Sequence, residues 1–227
     1  MRSILRAVLM FAVCVPAWAA GLDNLTTTEA AGGLKEALTQ GASRAVELLG
    51  RDGGFLGNPK VRIPLPSALE QAEPLIRMAG RGKDLDALVT SMNRAAEAAV
   101  PEAKTLLVGA VRQMGVEDAK RVLTGGDDSV TAYFRDKTQA ALTDRFLPIV
   151  KKHTEQLALA GQYNRLASQV ASFGVMKPED AQIENYVTRK ALDGLYLMIA
   201  EEERAIRADP LSAGGALAKK VFGALGR

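Results

Sequence analysis

Apolar side chains recur with a helical period of about 3.6 residues along almost the whole chain. The clearest case lies after Asp84, where Leu85, Leu88, Met92 and Ala96 fall on one helix face. This period predicts helices near residues 26–50, 67–79 (with a kink at Pro74), 84–99, 101–114, 117–123, from 128 onward (bending at Pro148), 162–173, 180–208 and from 212. Since no segment alternates like a strand, we expect an all-α fold, a single compact bundle of about eight to nine helices.

Helix starts are suggested by side chains that can accept hydrogen bonds from the first backbone N–H groups. Thr26 and Ser67 each begin a capping-box pattern, with a glutamate three positions later. Asp84 is the predicted cap of the third helix, and Asp127 or Asp128 that of the helix after two glycines. The two aspartates after glycines also fit a metal or phosphate site, which stays open as an alternative.

Residues 50–66 interrupt the helical pattern and contain three glycines and three prolines after Gly50. A loop of this length inside a compact domain is uncommon and tends to be functional or disordered. Disorder does not suit Phe55, Leu56 and Ile63, which need burial. We therefore predict an extended strap on the bundle. It either covers the core or acts as a lid over an apolar site.

Residues 1–19 have the pattern of a secretory signal peptide. Arg2 and Arg6 precede an apolar run at residues 7–15, and Ala17 and Ala19 form a cleavage box. We expect cleavage after Ala19, which makes residues 20–227 the mature all-helical domain, exported to the periplasm of a Gram-negative cell. No later apolar stretch approaches the roughly 20 residues of a membrane span, so the mature domain should have no transmembrane segment.

The composition of the mature domain excludes several kinds of chemistry. Cys14 and Trp18 are lost with the signal peptide, and His153 is the one histidine, within a solvated-looking run. Thiol catalysis, disulfides and cysteine or histidine metal sites are therefore not expected. Cleavage removes two of 29 basic residues and none of 26 acidic ones, so the domain is almost neutral and nucleic-acid binding is not expected. No nucleophile elbow, P-loop or dinucleotide motif occurs, and no cofactor, metal or catalytic residue is assigned.

One carboxylate stands out on the long helix at 180–208. Glu202 lies in the middle of an apolar arc, whereas Glu201 and Glu203 point to its flanks and are expected at the surface. A carboxylate on an apolar face must be paired or protonated. Lys137 and Arg145 are the predicted partners. Glu202 is then either a structural ion pair or a polar anchor in an apolar cavity.

Two further places carry polar or basic side chains beside apolar ones. Asn93 and Glu97 lie one turn apart at the edge of an apolar helix face. They are expected to form a solvated edge, with a polar cluster as the alternative. The last helix, from Ser212, sets apolar residues against Lys219 and Lys220. Docking of this helix on the bundle is expected rather than membrane contact.

Short segments along nearly the whole mature domain resemble a known family. They are residues 33–38 (GLKEAL), 54–59 (GFLGNP), 63–66 (IPLP), 92–97 (MNRAAE), 101–104 (PEAK), 125–128 (GGDD), 133–135 (YFR), 186–188 (YVT), 190–195 (KALDGL) and 199–203 (IAEEE). The sequence resembles an exported, all-helical family of Gram-negative bacteria catalogued as a domain of unknown function. The resemblance implies a cell-envelope location and a helical fold, but it brings no activity, cofactor or catalytic residue.

Three functions remain open on the sequence. The first is non-catalytic binding of an apolar small molecule or an envelope protein, with Phe55 and Leu56 on a lid and Glu202, Asn93, Lys137 and Arg145 as polar contacts. The second is a carboxylate hydrolase acting on cell-wall glycan, in which Glu202 would act with Glu97, Asp127 or Asp128. The third is a structural or oligomeric scaffold. The oligomeric state cannot be predicted from these patterns.

Overall fold

The computed structural model describes residues 27–172 and 181–209, and these form eight α-helices, one 3₁₀ turn and no strand. The elements are α1 (Thr27–Gly50), α2 (Ser67–Met78), α3 (Gly82–Ala99), the 3₁₀ turn (Val100–Glu102), α4 (Ala103–Gln113), α5 (Val116–Thr124), α6 (Ser129–Thr154), α7 (Ala158–Ser172) and α8 (Ile183–Ala208). The all-α prediction is confirmed. The predicted signal peptide, the Thr26 cap and the helix from Ser212 lie outside the described residues.

Helix α8 forms the centre of the bundle. It packs against α6, α1 and α3, and residues on most of its circumference are buried. Helix α6 faces it with a long stripe of buried side chains that includes Phe134, Leu142 and Phe146. The resulting core is continuous through the described bundle. None of the described helices is long and apolar enough to cross a membrane.

The predicted helix caps are the part of the secondary structure that was wrong. Ser67 is the first residue of α2 rather than its cap, and α3 begins at Gly82, so Asp84 lies inside its first turn. Asp128 does occupy the cap position of α6, but its side chain makes no capping hydrogen bond. Helix α7 starts four residues earlier than predicted because Gly161 is accommodated inside it. The side chains that the sequence suggested therefore do not cap the first turns of α2, α3 and α6.

Residues 51–66 form the predicted strap, although only its last part is extended. Residues 52–61 make a series of turns, and residues 62–66 run extended into α2. Phe55 and Ile63 are almost completely buried. At Gly54 an added Cβ would lie 2.2 Å from the Leu49 carbonyl oxygen, so only glycine fits where the strap leaves α1. The prediction that the strap covers the core is confirmed.

Candidate functional site

Asn93 fixes the extended part of the strap. Its side-chain oxygen accepts a hydrogen bond from the Ile63 N–H (2.8 Å), and its side-chain nitrogen donates to the carbonyl groups of Ile63 (2.9 Å) and Val89 (2.8 Å). Asn93 is fully buried. It therefore pairs with both backbone groups of Ile63, as a neighbouring strand would. The expectation that Asn93 lies on a solvated edge was wrong. A buried amide of this kind stabilises a fold because all its partners are satisfied.

Glu97 fixes the turns of the strap in a similar way. One carboxylate oxygen accepts the N–H groups of Phe55 and Leu56, both at 3.0 Å, and the other accepts Arg94 at 2.6 Å. Burial would raise the pKa of Glu97, but the hydrogen bonds from Leu56, Arg94 and Phe55 together outweigh it and lower the pKa below its usual range. Glu97 is therefore an ionised structural group.

The strap also fits closely against α8. A Cβ added at Gly194 would lie 2.8 Å from the Phe55 ring, so the small residue makes room for the aromatic side chain. The Tyr186 hydroxyl donates to the Pro64 carbonyl oxygen at 3.1 Å. Phe55 and Leu56, proposed from the sequence as lid residues, belong to a cover that is fixed by hydrogen bonds and close packing. They line none of the cavities described below.

Glu203, expected at the surface, is instead buried on α8. Its two oxygens accept the N–H groups of Val130 (3.1 Å) and Thr131 (3.2 Å), the first turn of α6. Arg207 pairs with it at 3.0 Å and donates to the Val122 carbonyl oxygen at 3.1 Å. A negative charge at a helix N-terminus is favourable because it meets unpaired N–H groups and the positive end of the helix dipole. Glu203 therefore performs the capping predicted for Asp127 or Asp128.

Glu202 is less buried than its central place in the apolar arc suggested. Its carboxylate pairs with Arg44 of α1 at 3.1 Å, and its side chain is 16% exposed. Neither predicted partner reaches it, because Lys137 pairs with Asp136 and Arg145 with Glu102. The structure therefore does not bring the predicted polar contacts Glu202, Asn93, Lys137 and Arg145 into one site.

The geometry also removes the support for a carboxylate hydrolase. Glu202 and Glu97 are each held by an arginine, and Asp127 and Asp128 are exposed. A glycosidase needs two nearby carboxyl groups, one with a raised pKa, whereas the pKa of Glu97 is lowered. Among residues 27–172 and 181–209, no three histidine, cysteine or acidic side chains are placed to hold a metal ion. His153 is exposed, as expected.

An apolar groove between α2 and α7 is the strongest candidate site. It has a volume of about 390 Å³ and is lined by Ala68, Leu69, Ala72, Ile76, Arg81, Leu159, Gln162, Tyr163, Leu166 and Ala167. Leu69, Leu159 and Tyr163 form its buried floor, while the Leu166 side chain is 64% exposed at its rim. This volume falls within the range of small-molecule sites, about 300–1,000 Å³.

The polar side chains of the groove include Arg81, which is placed by the end of α2. Gly80 adopts a left-handed conformation with φ of +78°, and its N–H donates to Arg77 while the Arg81 N–H donates to Ile76. This is the Schellman arrangement that often ends helices at glycine. It directs the chain so that Arg81 reaches α7, where its guanidinium donates to the Gln162 side-chain oxygen at 2.9 Å.

A larger depression, about 630 Å³, lies between the strap, α2 and α3. It is lined by five charged side chains, of which Arg77 pairs with Glu73 and Asp86 while Arg62 and Glu70 add further charge. It therefore offers no comparable apolar contact for a ligand.

The groove was missed by the sequence analysis for a clear reason. Leu69, Ala72 and Ile76 have helical spacing on α2, and Leu159 and Leu166 have it on α7. Each stripe is visible in the sequence, but nothing in the spacing shows that two helices about 90 positions apart leave a gap between them.

The fold and these contacts define the class of protein. It is an all-α bundle in which buried polar side chains hold a loop and a helix start, and the open apolar groove is the candidate binding site. The chain belongs to the family described as "Protein of unknown function (DUF4197)", which matches residues 24–223. The suspected membership of a family of unknown function is thereby confirmed. No match was found among curated proteins or among solved structures.

Proposed function

We propose that this protein is an exported, periplasmic binding protein that holds an apolar ligand, without catalysis, in the groove between α2 and α7. The supporting observation is the lining of the groove, which is apolar except for the Arg81–Gln162 pair and the Tyr163 hydroxyl. Binding sites for small molecules are concave and largely apolar, with a few polar groups that orient the ligand.

The rim of the groove explains why a ligand would be favourable there. Leu166 is 64% exposed, and Ala68 also lies open to solvent. Removing apolar surface from water contributes roughly 25 cal/mol for each Å². An apolar ligand would cover this rim and the buried floor of Leu69 and Leu159 together.

Export is supported by the signal-peptide pattern of residues 1–19 and by the position of the family match, which begins at residue 24. An exported carrier would meet apolar compounds of the cell envelope. The resemblance to an envelope family fits the same location.

Native mass spectrometry of the full chain expressed with its own signal tests both parts of the proposal. We expect a protein that begins at Ala20 and carries a stoichiometric apolar adduct, identified after organic extraction. Retention of residues 1–19 would contradict export. The absence of any adduct, together with no binding of a fluorescent fatty-acid probe, would contradict ligand binding.

Two matched variants locate the site. Leu166→Asp places a negative charge on the groove rim and should weaken binding of the fatty-acid probe by about tenfold or more, because the carboxylate opposes both the apolar chain and the anionic head of the probe. Leu75→Asp is the control, since Leu75 is 70% exposed on α2 but does not line the groove. Equal loss of binding in the two variants would place the ligand elsewhere.

A further inference from the structure

The Arg81 guanidinium lies at the polar part of an otherwise apolar groove and is only partly used by the protein. Its Nε–H donates to Asp84 at 2.8 Å, and one Nη1–H donates to Gln162 at 2.9 Å. A guanidinium has five N–H groups. Within the described part of the chain, the remaining Arg81 N–H groups have no protein acceptor.

From this arrangement we infer that the ligand is a single-chain amphiphile with an anionic head, a carboxylate or a phosphate, that binds Arg81 while its apolar chain occupies the groove. The inference rests on the proposed function and specifies the ligand class. Arginine matches both head groups because its planar N–H groups can donate two parallel hydrogen bonds to two oxygens.

The ion pair that Arg81 forms within the protein is weak enough for such a head group to bind. Asp84, its one ion-pair partner, is itself 48% exposed. An exposed pair of this kind is weak, because water screens it. A ligand anion can therefore share the guanidinium with Asp84 or replace it. The Gln162 side chain holds Arg81 toward α7 and adds an amide next to the same position.

The apolar part of the groove determines that the rest of the ligand is an apolar chain. Ala72 and Ile76 form the α2 wall, and Leu159, Leu166 and Ala167 form the α7 wall. Among the residues that the structure describes, Arg81 is the one ionised side chain that lines this groove. A second charge or a polar chain on the ligand would be buried without a partner there. One charged end and one apolar chain is the composition that suits both parts of the groove.

Three ligands of equal chain length test the inference: dodecanoate, dodecyl phosphate and methyl dodecanoate, titrated against the mature protein by displacement of a fluorescent apolar probe. The wild-type protein should bind both anions about tenfold or more tightly than the neutral ester, as expected for a charge-assisted hydrogen bond. Arg81→Met keeps an apolar stem without the charge. It should reduce the preference for the anions over the ester to about twofold or less, because only the anions use the guanidinium.

Lys83→Met is the matched control, because Lys83 is an exposed cation two positions away that does not line the groove. This variant should keep the full preference for anions. The inference is overturned if the preference for anions survives Arg81→Met or is absent from the wild-type protein. In either case, binding of the ester would still support an apolar site. Competition by inorganic phosphate as strong as that by dodecyl phosphate also overturns it, because the chain would then be unnecessary. Failure of all three ligands to bind overturns the proposed function as well.

Discussion

At Glu97 one carboxylate joins three parts of the protein: the strap through Phe55 and Leu56, α3 on which it lies, and the solvent-facing Arg94. The two strap N–H groups have no backbone partner of their own in this turn. A buried donor left without an acceptor costs about 1–3 kcal/mol. The turns of the strap therefore depend on Glu97, which the sequence pattern had placed on a solvated edge.

Replacing Glu97 by Gln tests this role through the pH dependence of unfolding. Because the folded pKa of Glu97 is lowered, the ionised group stabilises the fold above its unfolded pKa of about 4.3. That contribution is lost as pH falls through the folded pKa. In urea unfolding, Glu97→Gln should lose about 1–3 kcal/mol at pH 7. Its free energy of unfolding should also fall less steeply below about pH 4.3.

The control for Glu97 is Glu47, which pairs with Lys104 in an exposed position. Exposed ion pairs contribute about 0–1 kcal/mol, so Glu47→Gln should change stability by less than about 1 kcal/mol. A Glu97 variant with the same stability and acid sensitivity as the wild-type protein would show that the strap does not need this carboxylate.

Replacing each of two adjacent glutamates on α8 by alanine should lower the free energy of unfolding by very different amounts. Glu203→Ala removes the acceptor for the first turn of α6 and leaves Arg207 without its carboxylate partner. A loss of about 2–4 kcal/mol is expected. Glu202→Ala removes only its pair with the exposed Arg44 and should cost about 1 kcal/mol or less. Chemical denaturation measures both losses, and equal losses would contradict the capping role.

At the scale of elements, the contact between the strap and α8 depends on the absence of a side chain at Gly194. An added methyl group would lie 2.8 Å from the Phe55 ring and 3.3 Å from Val61. Overpacking of this kind costs about 1–3 kcal/mol, which should exceed the gain of about 1 kcal/mol in helix propensity. Gly194→Ala should therefore lower the melting temperature.

Gly109 provides the comparison, because it lies inside α4 with nothing within 4 Å of an added Cβ. Gly109→Ala should raise the melting temperature through helix propensity alone. If both alanine variants are stabilised, the strap can move away from α8 without cost.

The helices were predictable because their apolar spacing is a local property, whereas their polar contacts were not. The spacing predicted the bounds of α3 and α8 to within a few residues, but it indicated Glu202 rather than Glu203 as a buried carboxylate. This error follows from the prediction that only one narrow arc of α8 is buried. In the bundle α8 is enclosed by α1, α3 and α6, so the flank that carries Glu203 is buried too. The cap of α6 comes from a residue 73 positions away, which no local pattern shows.

Across the described molecule, burial is unevenly distributed between the helices. Leu69 is the one buried residue on α2, while α8 buries residues along its whole length. Helix α2 also contains Pro74 and starts without a side-chain cap. Regions with few buried apolar contacts open at low free energy, below that of global unfolding. One wall of the groove is therefore a helix that buries little apolar surface, and we expect it to open more readily than the core helices α6 and α8.

Hydrogen exchange should show this difference directly. Amides of α2 are expected to exchange much faster than those of α6 and α8, because α2 can open without disturbing the core. If the groove holds an amphiphile, adding dodecanoate should slow exchange in α2 and α7, since a ligand that binds only the closed form stabilises it by mass action. The strap, held by Asn93 and Glu97, should not change, so it serves as the internal control. Slowed exchange in the strap rather than in α2 would instead place the binding site under the strap, as the sequence first suggested.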